Sequence, residues 1–110
     1  MWAKAEDSIC ADAGSTREIT NCMFDLYKKA DSTLNRVYQE ALKSASEYSE
    51  KDVVKLRDAQ RKWIAYRDAA CEAEYSLFGG GSGGPAGHAG CLLRITKQRT
   101  EDLKSAYHLN

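Results

Sequence analysis

Four cysteines, Cys10, Cys22, Cys71 and Cys91, are the residues of this 110-residue chain with the most chemistry to offer. An even number of cysteines in a short chain points to disulfide pairing in an oxidising compartment. Three connectivities are available to four cysteines. Pairing of neighbours, Cys10 with Cys22 and Cys71 with Cys91, closes the shortest loops, and each bridge would stabilise by about 3 kcal/mol on the chain-entropy account. Zinc is the rival chemistry, since His88 and Cys91 are three residues apart and Cys71 could join them. Against it, no Cys-x-x-Cys pair exists, and structural zinc sites favour such tight spacing. Free thiols in a cytosolic protein are the third reading.

Catalysis finds little to work with. The two histidines, His88 and His108, lie in a glycine-rich stretch and next to the carboxyl terminus, and neither is matched with a nucleophile in the pattern. The glycines from Gly79 onward follow a helical pattern rather than a strand and lack a following Lys-Ser/Thr, so they do not form a phosphate loop. A set of polar residues on otherwise apolar helix faces is more informative: Asp31, Asn35 and Tyr38; then Gln60, Trp63 and Arg67; then Thr96 and Arg99. Read functionally, these form a catalytic or binding cluster with Asp31 as its carboxylate. Read structurally, they form an internal network of ion pairs and hydrogen bonds in which each buried charge supplies another's partner. The structural reading is favoured, and such a network can fix helix register without adding stability.

Long helices must position these residues. No Gly or Pro occurs between residue 15 and residue 78. Ser15-Thr16-Arg17-Glu18 has the form of a capping box. Apolar residues then recur at steps of three and four through Ile19, Met23, Leu26, Ala30, Leu34, Val37, Ala41 and Ala45, which predicts a first helix over 16–48. Ser49 followed by Glu50 and Asp52 is a second start signal. Val53, Leu56, Ala59, Trp63, Tyr66, Ala70 and Leu77 carry the pattern on, which predicts a second helix over 50–78. Residues 79–90 read as a glycine-rich loop, and 91–107 as a third helix. The expected fold is all-α: one domain over 1–110, an up-down-up antiparallel three-helix bundle with a disulfide-pinned amino-terminal arm and a Gly-rich loop before the last helix.

Folding the chain back at Ser49 sets a register. Asp31 and Arg67 stand equally far from the turn, as do Tyr38 and Gln60, while Arg99 comes to the level of Trp63 and Asn35. Asp31, Asn35, Gln60, Arg67 and Arg99 are therefore expected to meet inside the bundle. Asp31 should be buried and paired with Arg67 or Arg99, and its removal should cost roughly 3–5 kcal/mol.

At this point the residues resemble a known family. Cys10 and Cys22, Asp31-Ser32-Thr33-Leu34-Asn35-Arg36-Val37-Tyr38, the stretch from Ala59-Gln60-Arg61-Lys62-Trp63 through Tyr66-Arg67 to Cys71, and Cys91 with Thr96, Arg99 and Leu103 together resemble the lysozyme inhibitor LprI-like N-terminal domain, a small secreted bacterial family. The resemblance spans nearly the whole chain. It implies an exported, helical, disulfide-bonded envelope protein, secreted or periplasmic, and less directly an inhibitor of lysozyme. It supplies no inhibitory residue, because the matching residues read as scaffold.

Charge narrows the partners. Sixteen basic residues balance sixteen acidic ones, and a chain without a basic field is poorly suited to sequence-independent nucleic-acid binding. No stretch has the roughly 20 apolar residues that span a membrane. The polar start, Met1-Trp2-Ala3-Lys4, is read as a chain whose leader is absent. In the expected bundle, residues 1–26 and 68–91 share one end, and each carries a net −3. Asp12, Glu18, Asp25, Glu72 and Glu74 are the candidate surface there for a cationic lytic enzyme such as lysozyme. No cofactor or metal is expected. An accessory or structural envelope protein without inhibitory activity is the alternative reading, and a small hydrolase using Asp31 is the weakest.

Overall fold

Two serines start the long helices. In the computed structural model, which describes Cys10, residues 12–77 and residues 84–110, the Ser15 side chain accepts a hydrogen bond from the Glu18 backbone N–H at 3.2 Å. Glu18 reaches back to accept from the Gly14 N–H at 3.1 Å, so the capping box closes one residue outside the helix. Helix α1 runs Thr16–Ser46. Ser49 repeats the device, accepting from the Asp52 N–H at 3.2 Å and donating to the Asp52 carboxylate at 2.9 Å. It opens α2, Glu50–Ser76. Helix α3 runs Gly84–Ala106. The described residues contain three helices and no strand, and the architecture is the expected up-down-up bundle, 50 Å long.

Three boundaries differ from expectation. Helices α1 and α2 each end two residues early, within the ordinary fraying of a last turn. Phe78, the expected end of α2, and the 79–83 portion of the expected loop lie outside the described residues. The larger correction is that α3 begins at Gly84 rather than Cys91. The run from Gly84 to Gly90 is helical in spite of its glycines. Pro85 stands in the first turn, where its missing N–H has no intrahelical acceptor to lose. Ala89 is fully buried, and a methyl group on Gly90 would come to 3.3 Å from Met23 Cε.

Helix α1 packs chiefly against α3, and α2 makes the lesser contact with each. Toward the hairpin, Leu34, Val37, Ala41, Leu42, Ala45, Val53, Leu56 and Leu103 form one core cluster, flanked by Tyr38, Trp63 and Tyr107. Toward the other end, Cys10, Met23, Ala30, Ala89 and Leu93 form a second. Cys71, Cys91 and Leu92 form a third, and Phe24 and Tyr27 pack against both of these. The cysteines pair as neighbours, Cys10–Cys22 and Cys71–Cys91. The first ties the residues before α1 to its second turn, and the second joins the end of α2 to α3.

Candidate functional site

Arg67 projects from α2 into the crevice against α1, and it is the most thoroughly buried cation of the network, with a side chain 10% exposed. Its Nε donates to Asp68 Oδ1 at 3.0 Å, and its Nη1 lies 3.6 Å from Asp31 Oδ1 on α1. The guanidinium also sits over two rings, 5.6 Å from the Tyr27 centroid and 5.1 Å from that of Trp63, at cation–π distance. Trp63 is one helical turn before Arg67 on α2, so an i, i+4 relation brings its ring to the guanidinium, while Tyr27, one turn before Asp31, reaches it across from α1.

A second cation completes the arrangement from α3. Arg99 Nε donates to Gln60 Oε1 at 3.0 Å, and its guanidinium stands 5.9 Å from the Trp63 ring. Burial lowers the Arg99 pKa from its ordinary value; the nearby Asp102, Tyr107 and Tyr38 work in the opposite direction. Burial likewise raises the Tyr27 hydroxyl, with Arg67 opposing and the carboxylates of Asp31 and Asp68 reinforcing. The Trp63 indole is thus flanked by two guanidinium groups from two helices, and α1, α2 and α3 are cross-braced through it.

The expected cluster forms as two pairs, not one. Asp31–Arg67 and Gln60–Arg99 are joined only through the Trp63 ring. Asn35 faces solvent and takes no part. The Asp31 side chain is 39% exposed, so the expectation of a buried carboxylate is corrected: Asp31 sits at the lip of the crevice while Arg67 fills its depth. Tyr27 and Asp68 were not anticipated. Tyr27 carried a legible signal in its spacing of four from Asp31; Asp68, adjacent in sequence to the residue it pairs with, carried none. Both guanidinium groups are held by carboxylate, amide and aromatic partners, and the arrangement is suited to fixing helices in register.

Thr96 belongs to the same level of α3 and is fully buried. Its hydroxyl has no hydrogen-bond partner among the described residues; its carbonyl accepts from the Thr100 hydroxyl at 3.3 Å.

The disulfide end is built differently. Asp12, Glu18, Asp25 and Glu72 are exposed. Glu74 is partly buried and accepts from Arg94 on α3 at 2.7 Å, so Arg94 belongs to this end and offsets one of its acids. Between α1, α2 and α3, Phe24, Glu72, Tyr75, Pro85 and His88 line a depression of about 180 Å³. Tyr75 and His88 meet edge to face at 5.5 Å, and His88 Nδ1 lies 3.4 Å from the Cys71 carbonyl. Cys71 and Cys91 are bonded to each other, which leaves no thiolate beside His88 for a metal. Among the described residues no helix is long and apolar enough to cross a membrane.

Comparison with known proteins agrees with this construction. The family described as lysozyme inhibitor LprI matches residues 9–103. An uncharacterized protein of Rhizobium meliloti (strain 1021) is 32% identical over 113 residues, covering 93% of this chain and 81% of that protein. No solved structure matches the chain. With α1, α2, all but the last three residues of α3, both disulfides and the braced tryptophan inside the matched span, the chain belongs to the lysozyme inhibitor LprI family.

Proposed function

We propose that this protein works in the oxidising bacterial envelope, secreted or periplasmic, as a binding module that engages a cationic lytic enzyme such as lysozyme through its disulfide end, without catalysis or a cofactor of its own. The observation that carries this reading is the depression lined by Phe24, Tyr75, Pro85 and His88, with the Glu72 carboxylate among its walls. Rings and a proline beside a carboxylate suit the stem and head of a lysine or arginine side chain, which gains apolar contact, ring-face attraction and charge pairing together. Asp12, Glu18 and Asp25, in and just before the first half of α1, are exposed and add negative charge that would steer a cationic partner in. The Cys71–Cys91 bond and the Tyr75–His88 contact hold the lining side chains in place, so little ordering cost remains at binding. The family's description names lysozyme inhibition, which supports the choice of partner.

Charge reversal tests the reading. Glu74 is tied to Arg94, so the informative variant is Asp25→Lys with Glu72→Lys. A control reversal at the hairpin end, Lys43→Glu with Lys51→Glu, carries an equal and opposite charge change. Binding of cationic lysozyme and its lytic activity are measured at low and high salt. The acidic-end variant should bind at least about tenfold more weakly, a loss of about 1.4 kcal/mol or more, while the control keeps its affinity. Equal binding by the two variants, or binding indifferent to salt, refutes the assignment.

A further inference from the structure

The outer side of α2 has no partner among the described residues, and its composition is unlike that of a solvated helix face. Ala59, Tyr66, Ala70, Ala73 and Leu77, with the edge of Trp63, fall within an arc of about 80° on a helix of 3.6 residues per turn. All are exposed or partly exposed; Tyr66 is 63% exposed and Leu77 85%. Scattered surface apolar residues need no explanation, but a continuous stripe of large and small ones does.

The order of sizes along this stripe is self-complementary. When two copies of α2 are laid antiparallel about a two-fold axis at residue 68, Ala59 faces Leu77, Trp63 faces Ala73, and Tyr66 faces Ala70. Each large side chain meets an alanine of the other copy, and the reciprocal contact follows by symmetry, as an isologous interface requires. Charge follows the same axis. With the axis at residue 68 the two copies overlap over residues 59–77, where residues 59–67 hold three basic side chains and no acidic one, and residues 69–77 hold two acidic and no basic one. Antiparallel alignment sets each positive half against a negative half, whereas parallel alignment sets like against like.

We infer that the α2 face is a dimerisation surface whose occupant is a second copy of this chain, packed antiparallel with Tyr66 against Ala70. The stripe extends about 27 Å at 1.5 Å per residue. One helix face per copy lies below the roughly 1,200–2,000 Å² of total buried area typical of stable complexes, so the dimer is a reversible one. This surface is separate from the disulfide-end depression and stands whether or not a lytic enzyme binds there.

Sedimentation equilibrium of the oxidised chain over a wide concentration range should show a monomer–dimer equilibrium. Tyr66→Glu should leave a monomer with unchanged helicity, because Tyr66 makes its contacts outward. Val54→Glu, at an exposed apolar position about 140° around the helix from the stripe, should leave the dimer intact. For register, Tyr66→Cys and Ala70→Cys variants are mixed and oxidised. A mixed disulfide between the two is expected, because facing positions alone come within the roughly 7 Å Cα separation a disulfide tolerates. A wild-type chain that is monomeric throughout, or a dimer that survives Tyr66→Glu, overturns the surface. Preferential 66–66 and 70–70 homodimers overturn the antiparallel register.

Discussion

Replacing Asp31 with Ala should cost far less than replacing Arg67 with Ala, although the two are partners. Asp31 is at the lip of the crevice, and its part-exposed carboxylate lies 3.6 Å from the buried Arg67 guanidinium. Pairs of that kind contribute under about 1 kcal/mol. Its loss does not strand the guanidinium, which keeps Asp68 at 3.0 Å and the Tyr27 and Trp63 rings. We therefore expect Asp31→Ala to destabilise by about 1 kcal/mol, below the 3–5 kcal/mol that a buried carboxylate would imply. Arg67→Ala removes more at once. Two cation–π contacts contribute about 0.5–1 kcal/mol each, and the buried stem methylenes about 0.8 kcal/mol each, so with the ion pairs the loss is about 4 kcal/mol. Urea denaturation followed by circular dichroism measures both, with the shift in midpoint read at constant m-value. The Asp31→Ala, Arg67→Ala double mutant should match Arg67→Ala within a few tenths of a kcal/mol, since Asp31 has no other partner in the network. An Asp31→Ala loss equal to that of Arg67→Ala would refute the reasoning, because it would mean that the carboxylate, not the rings, satisfies the buried cation.

Thr96→Val should stabilise the fold by about 1 kcal/mol, because it replaces a buried hydroxyl lacking a partner among the described residues with a methyl group of similar size; a loss of stability in the same urea titration would show that the hydroxyl is satisfied. Tyr27 should make the fold sensitive to alkali. Its folded pKa is raised above the ordinary 10.0, so the folded state holds the phenolic proton more tightly, and its contribution is fully present below about 10 and lost as pH rises through the folded value. Tyr27→Phe should flatten that loss in denaturation series on either side of pH 10, and a slope equal to wild type would show that Tyr27 does not titrate differently in the two states.

The helix starts were legible because capping is local chemistry: Ser15 with Glu18 and Ser49 with Asp52 need no tertiary partner to declare themselves. Disulfide pairing followed from loop closure once Cys71 and Cys91 were seen to return to the same end. Counting outward from Ser49 placed Asp31 level with Arg67, since rise per residue is constant along a helix. The same count is silent on rotation about the helix axis. That is why Asp31 was expected inside and lies at the lip, why Asn35 was expected in the network and faces solvent, and why the expected single cluster forms as the pairs Asp31–Arg67 and Gln60–Arg99. The start of α3 was hidden for another reason. Glycine carries a low helix propensity, but the burial of Ala89 with Met23 and Ala30 of α1 works against it, and only the neighbouring helix makes that visible.

The Cys71–Cys91 bond also determines what happens when the backbone between α2 and α3 is cut or rebuilt. Its two sulfurs lie on either side of the glycine-rich crossover, so a protease cleaving within residues 78–83 leaves two fragments that remain one molecule. The fragments cannot diffuse apart, and α3 keeps its high local concentration against α1. Lengthening the crossover is equally mild, because each doubling of a flexible loop adds only about 0.6 kcal/mol of closure entropy and the ends are already joined. Of the two connections between the described helices, this is the one whose flanking helices a covalent bond already joins, so a cut there leaves the bundle assembled.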